Sequence, residues 1–114
     1  DSKWSFTSKG IKLNIEKSHY QYSKFKEGPI IFGIRPEDIH NSDFSDIKDD
    51  NMINVQIRFF EYLGSEMNIY FSIESDNLTA RFNKIIDTDK LDSVSLIFDV
   101  NKGHFFSVDD ESIL

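Results

Sequence analysis

The chain has 114 residues, a length for one domain that buries about 65% of the surface its unfolded chain exposes. Its 20 acidic and 13 basic residues give a net charge of −7, a field that repels phosphate backbones and anionic membranes and so argues against a general nucleic-acid or membrane-surface binder. The lack of Cys removes disulfides, thiol catalysis and thiolate zinc sites and suits a reducing cytosol, while 11 Phe, 4 Tyr and 1 Trp point to a packed core.

In chain order, Ile11, Leu13 and Ile15 alternate with Lys12 and Asn14, the period of a strand with one buried face. Tyr22 and Phe25 among charges would suit one short helix over Lys17–Lys26 capped by Ser18, although His, Tyr and Ser are mediocre helix formers. Ile30 to Ile34 is a continuous apolar run closed by Arg35 and Pro36, the pattern of a strand buried on both faces. Asn41 to Asn51 is polar and rich in Asp, and reads as an exposed loop.

Ile53, Val55, Ile57 and Phe59 alternate, then the phase slips to Phe60 and Tyr62, which predicts a β-bulge. Leu63-Gly64-Ser65-Glu66 is a hairpin turn signal leading to the run Met67, Ile69, Phe71 and Ile73. Ser75-Asp76-Asn77 separates that run from Leu78, Ala80 and Phe82, and Val94, Leu96 and Phe98 alternate next. Asn101-Lys102-Gly103 turns the chain before Phe105 and Phe106. Six to eight short strands with tight turns predict an all-β, closed or partly closed small barrel.

No apolar run approaches the roughly 18 residues of a membrane-spanning helix, and no signal-peptide pattern is visible. The sequence opens on Asp1 rather than Met, so one domain over 1–114, excised from a longer protein, is expected.

Few residues offer chemistry. His19, His40 and His104 lack the spacing of a metal motif, which favours surface or structurally bonded roles. The acidic groups Asp46, Asp49, Asp50 and Asp87, Asp89, Asp92 lack the Gly and Glu of a calcium loop and read as solvated loops. No Gly-x-Ser-x-Gly elbow anchors a serine nucleophile. Gly28 and Gly33 have phosphate-loop spacing, but Ile34 and Arg35 replace the Lys and Ser/Thr, and the interior Pro29-Ile30-Ile31-Phe32 is strand-like. The residues on their own describe a β domain without a recognisable active site.

One block is more specific. Gly33-Ile34-Arg35-Pro36-Glu37-Asp38-Ile39 resembles the GIRPE motif in the C-terminal regulatory domain of ATP-binding subunits from maltose and multiple-sugar ABC importers. Val55 to Tyr70, VQIRFFEYLGSEMNIY, is similar to that family's strand, LGSE turn and following strand. Leu96-Ile97-Phe98-Asp99 and His104-Phe105-Phe106-Ser107 resemble its closing pattern, with Phe105 in place of Leu, Ser107 in place of Asp, and Asp110-Glu111 where a Thr-Gly turn would stand.

The resemblance implies a small OB-like, MOP-like barrel with a TOBE signature, non-catalytic, following a nucleotide-binding domain that carries the ATP and Mg chemistry. This chain would hold no cofactor or metal. It would lie in the cytoplasm, peripheral to the inner face of the plasma membrane. Its partners would be a second copy of the ATPase, the nucleotide-binding domain, membrane permease subunits and, as in some relatives, a regulatory protein, with no nucleic acid. The family-motif or interface residues carried over are Gly33, Arg35, Pro36, Glu37, Gly64, Glu66 and His104. Pro36 should stop a strand and hold Arg35 extended, and Arg35 should find a carboxylate in Glu37 or Glu66 or a carbonyl. Gly64 should take a positive φ in its turn, and His104 should serve packing or turn bonding. The alternative is an OB-type oligonucleotide- or oxyanion-binding domain.

Overall fold

The computed structural model describes residues 4–8, 11–15, 27–44, 51–86 and 92–109. Nine strands lie among them: β1 (Trp4–Ser8), β2 (Ile11–Ile15), β3 (Ile30–Gly33), β4 (Ile39–Asn41), β5 (Met52–Leu63), β6 (Glu66–Ile73), β7 (Asp76–Phe82), β8 (Ser93–Phe98) and β9 (His104–Ser107). Short 3-10 turns occupy Pro36–Asp38, Ser42–Phe44 and Val100–Lys102. The helix over Lys17–Lys26, His19, the acidic residues 46, 49, 50, 87 and 89, and the pair 110–111 lie outside the described residues.

The central element is an antiparallel five-stranded sheet in the order β4-β8-β5-β6-β7. It curls into a half-barrel, so that its two outermost strands, β4 and β7, approach each other without forming a ladder. The turn Pro36–Asp38 also lies against β7. Two antiparallel pairs, β1-β2 and β3-β9, complete the β architecture. The small all-β class expected from alternation, and the OB-like type implied by the resemblance, are thus observed, with nine strands among the described residues in place of six to eight.

Alternation explains the core. Met67, Ile69 and Phe71 of β6 are fully enclosed with Ala80 of β7 and Leu96 of β8, and Leu13, Ile15, Ile39, Val55 and Phe105 join them. Burying each such side chain contributes about 1.5–3 kcal/mol. Phe32 lies between Phe6 and Phe105, with ring centroids 5.5 and 4.8 Å away. These rings tie both two-stranded pairs to the core.

Four expectations are corrected. The β3 strand, which among the described residues pairs with β9, is not buried on both faces, because Ile31 is exposed while Ile30 and Phe32 are half-buried against the core. The 41–51 region is not wholly exposed: Asn41 and Asn51 at its ends are buried, and Asn41 Oδ1 accepts the Asp43 N–H at 3.0 Å to open the turn at Ser42–Phe44. The bulge in β5 comes earlier than the hydrophobic phase suggests. Ile57 pairs with Phe71 but Phe59 pairs with Tyr70, so Arg58 is the extra residue and Phe59 is thrown to the outer face. The β6–β7 turn falls on Glu74 and Ser75, not on Ser75-Asp76-Asn77, because Ile73 already pairs with Asp76; Glu74 adopts φ 53° there.

Candidate functional site

The motif block sits where β3 leaves its pair and the chain turns toward the half-barrel. Gly33 ends β3 opposite His104 at the start of β9. A Cβ on Gly33 would lie 3.1 Å from Phe106 Cε2, so the small residue lets the Phe106 ring close over the backbone. Arg35 is extended at φ −80°, ψ 149°, as the residue before Pro should be, and its carbonyl accepts the Asp38 N–H at 3.0 Å. Pro36 occupies the first position of the 3-10 turn, where its missing N–H removes no bond.

Neither Glu37 nor Glu66, the carboxylates expected for Arg35, pairs with it among the described residues. Arg35, Glu37 and Glu66 are all exposed. The turn is instead tied down through its backbone: Asp38 O accepts the Asp99 N–H at 3.0 Å, linking the motif to the end of β8. Arg35 and Glu37 are left facing solvent. His104 is exposed as well, its ring centroid 6.4 Å from that of Phe106, a loose contact rather than a packed one.

Gly64 and Glu66 belong to a second location, the tip of the β5–β6 hairpin. Leu63 pairs with Glu66, which leaves a two-residue loop of Gly64 and Ser65. Gly64 has φ 80° and Ser65 is not in the positive-φ region, which is the II′ pattern with Gly at the first central position. The structure therefore brings Gly33, Arg35, Pro36, Glu37 and His104 together and leaves Gly64 and Glu66 at the hairpin tip.

The outer face of β5, β6 and β7 carries an ordered polar network that sequence reasoning missed. Phe59 stacks on Tyr70 with centroids 4.4 Å apart and planes 19° from parallel. Tyr70 Oη donates to Glu61 Oε1 at 3.0 Å, and the buried Asn68 donates from Nδ2 to the same oxygen at 3.2 Å. Asn68 Oδ1 in turn accepts from Arg81 Nε at 3.1 Å. Arg58, at the bulge, donates to Ser72 Oγ at 3.1 Å and to Asn77 Oδ1 at 2.7 Å. The signal available in sequence was the adjacent pair Phe59 and Phe60 at the phase slip, flanked by Arg58 and Glu61.

His40 is not a surface histidine. It is half-buried on β4, and its Nε2 is enclosed without a hydrogen-bond partner. No group of three His, Asp or Glu among the described residues is arranged to hold a metal ion. The segment with phosphate-loop spacing does not fit a nucleotide, since Ile30–Gly33 is strand and its backbone is committed to β9. No helix among the described residues is long and apolar enough to cross a membrane.

No family model matches the chain. Individual proteins do. It is 40% identical over 83 residues to the oligosaccharides import ATP-binding protein MsmX of Bacillus subtilis, covering 72% of this chain and 23% of that protein. It is 35% identical over 91 residues to the multiple sugar-binding transport ATP-binding protein MsmK of Streptococcus mutans, covering 79% and 24%. An uncharacterised ABC transporter ATP-binding protein, YcjV of Escherichia coli, is 31% identical over 109 residues, covering 93% and 29%. The chain belongs to the ATP-binding subunits of sugar-importing ABC transporters. It spans about a quarter of the length of the curated relatives it matches. The YcjV match, over 109 residues, runs through nearly the whole chain, so the kinship does not rest on the motif block alone.

Proposed function

We propose that this chain is a non-catalytic accessory domain of a sugar-importer ATP-binding subunit, placed C-terminal to the nucleotide-binding domain and supplying dimerisation and regulatory contacts. The observation that carries the reading is the 40% identity to an oligosaccharide-import ATP-binding protein over a segment that is only 23% of that protein. ATP and Mg belong, in this reading, to the remainder of the parent subunit. The parent works on the cytoplasmic side of the membrane against permease subunits, and two copies of it act together. The exposed pair Arg35 and Glu37 and the hairpin tip at Gly64 and Glu66 are the contact points proposed for the parent's other parts or a regulatory protein.

An ABC ATPase brings two nucleotide domains together and lets them part. A contact between accessory domains that persists through the open state keeps the effective concentration of one nucleotide domain near the other high. The test is truncation of the parent just before Asp1. ATP binding by the truncated monomer should persist, while its ATPase activity should depend more steeply on protein concentration than that of the full-length subunit. Identical concentration dependence would remove the dimerisation role and leave regulator docking.

One observation favours a second reading, single-stranded oligonucleotide binding on an OB-like barrel. Phe59 and Tyr70 stand on the outer face near Arg58 and Arg81, an aromatic stack with cations nearby. The charge of −7 opposes it. A gel shift at low salt with single-stranded DNA and RNA decides, and absence of a shift removes this reading.

A further inference from the structure

The bulge in β5 decides what the outer face of the sheet presents. Strict alternation from Ile57, which pairs with Phe71, would send Arg58 outward and Phe59 into the core. The extra residue instead puts Arg58 and Phe59 side by side on the outer face, with Glu61 two positions on. Bulges that re-aim a side chain in this way recur beside active sites. Phe59 is 58% exposed, although its ring stacks on Tyr70. A lone exposed Phe is ordinary on a protein surface; what distinguishes this one is its flanks. On one side Arg58 is fixed through Nη1 alone, to Ser72 Oγ and Asn77 Oδ1, and its Nε and Nη2 are donors with no partner among the described residues. On the other side Glu61 accepts from Tyr70 and Asn68 with Oε1 alone, and its Oε2 is an acceptor with none. Arg81 is fixed through Nε to the buried Asn68 and keeps both terminal nitrogens for other bonds. These groups are oriented by the sheet's own side chains, so they lose little further freedom when a ligand binds.

We propose that this face binds a neutral oligosaccharide, one sugar ring lying on Phe59 and its hydroxyls reaching Arg58 and Glu61. A pyranose ring presents C–H groups on its face, which pack on an aromatic ring, and hydroxyls at its rim, each both donor and acceptor. An exposed ring with fixed donors on one flank and a fixed acceptor on the other is complementary to that pattern. Arg58 and Glu61 are three strand residues apart, at most about 10 Å, a span for more than one sugar ring. Charge selects against the other ligand classes. An anion drawn to Arg58 and Arg81 meets Glu61 and the field of a chain of net charge −7. A cation drawn to Glu61 meets two guanidinium groups. A neutral, hydroxyl-rich ligand meets neither penalty. The exposure of Phe59 makes the site an open platform, so binding should be weak, with Kd about 0.1–10 mM. The site is independent of the accessory-domain reading above, and the failure of either leaves the other standing.

Amide NMR spectra of the isotope-labelled full chain test this during titration with maltotriose, cellotriose and raffinose, with glycerol as the control for hydroxyls alone. At least one trisaccharide should shift the amides of 58–61, 68–72 and 77–81 saturably, and glycerol should not. Phe59→Trp should retain binding, whereas Phe59→Leu, apolar but without a ring, should weaken it about tenfold or more. Arg58→Lys keeps the charge but loses the fork of donors. Glu61→Gln keeps the oxygen that Tyr70 and Asn68 bond but turns the free acceptor into a donor. Each should weaken binding about threefold or more. Thermal melts of each variant separate loss of binding from loss of folding. Absence of a saturable shift with all three trisaccharides up to about 50 mM overturns the site. Binding that Phe59→Leu leaves unchanged overturns it as well. A single-stranded oligonucleotide that shifts the same amides at lower concentration than any trisaccharide overturns the neutral-ligand assignment and selects the oligonucleotide reading.

Discussion

The side-chain amide of Asn51 completes a backbone pairing for Asn14: its Oδ1 accepts the Asn14 N–H at 2.7 Å and its Nδ2 donates to the Asn14 carbonyl at 3.1 Å. Asn51 is 3% exposed, and its own carbonyl accepts the Phe98 N–H at 2.9 Å. One residue thus binds the β1-β2 hairpin to β8 of the half-barrel sheet. Replacing it by Ala should leave the Asn14 donor and acceptor unpaired and reduce stability by about 2–3 kcal/mol. Asn51→Asp should not rescue it, since a carboxylate supplies the acceptor but sets a second oxygen against the Asn14 carbonyl. Urea melts measure the loss, and amide hydrogen exchange should show the Asn14 N–H losing protection in the Ala variant.

Gly103 is the tightest of the described glycines. A Cβ there would overlap Phe32 Cε1, lie 2.6 Å from its Cζ and 3.0 Å from the Gly33 carbonyl. Phe32 cannot retreat easily, being held between Phe6 and Phe105. Gly103→Ala should cost about 2 kcal/mol through forced repacking of the ring trio. The companion Phe32→Leu, Gly103→Ala double variant should lose less than the sum of the two single losses, because the smaller side chain vacates the clash. Strict additivity in urea melts would show that the Phe32 contact is not the cause.

Alternation carried most of this architecture. The runs Met67 to Ile73 and Val94 to Phe98 each put one face into the core where the period of two says they should. Phe59 was misplaced because the bulge is set by pairing with β6, and hydrophobicity alone cannot tell an outward Phe from an inward one. Asn51 and Gly103 were not legible for a different reason. Asn51 acts on a residue 37 positions away and Gly103 on Phe32, and no local pattern encodes a partner at that separation. Of the motif block, the turn geometry at Pro36 followed from the residues themselves, whereas the ion pair of Arg35 with Glu37 or Glu66 was an inference from charge that is not realised among the described residues.

His40 keeps a buried ring nitrogen without a hydrogen bond, a feature that works against the folded state. Its neighbour across the ladder is the buried Ile97, which pairs on its far side with Met52, so the surroundings are apolar. His40→Met should remove the unpaired nitrogen without a large change in volume and raise stability by about 1 kcal/mol. A stability decrease in urea melts would show that His40 bonds to a group that the apolar neighbours conceal.

Arg35 and Glu37 separate structure from contact. Both are exposed and neither holds an ion pair among the described residues, so Arg35→Ala and Glu37→Ala should leave the urea midpoint of this chain within about 0.5 kcal/mol of the unaltered one. Pro36→Ala, in contrast, should relax the extended constraint on Arg35 and loosen the 3-10 turn whose Asp38 carbonyl anchors Asp99. If the exposed pair contacts another part of the transporter, the Arg35→Ala and Glu37→Ala parents should fold normally, hydrolyse ATP in solution at the unaltered rate, and support slower sugar uptake in vesicles containing the permease. An uptake rate equal to that of the unaltered parent would assign the pair no contact role. A large loss of stability in the isolated chain would instead show that Arg35 works within the fold.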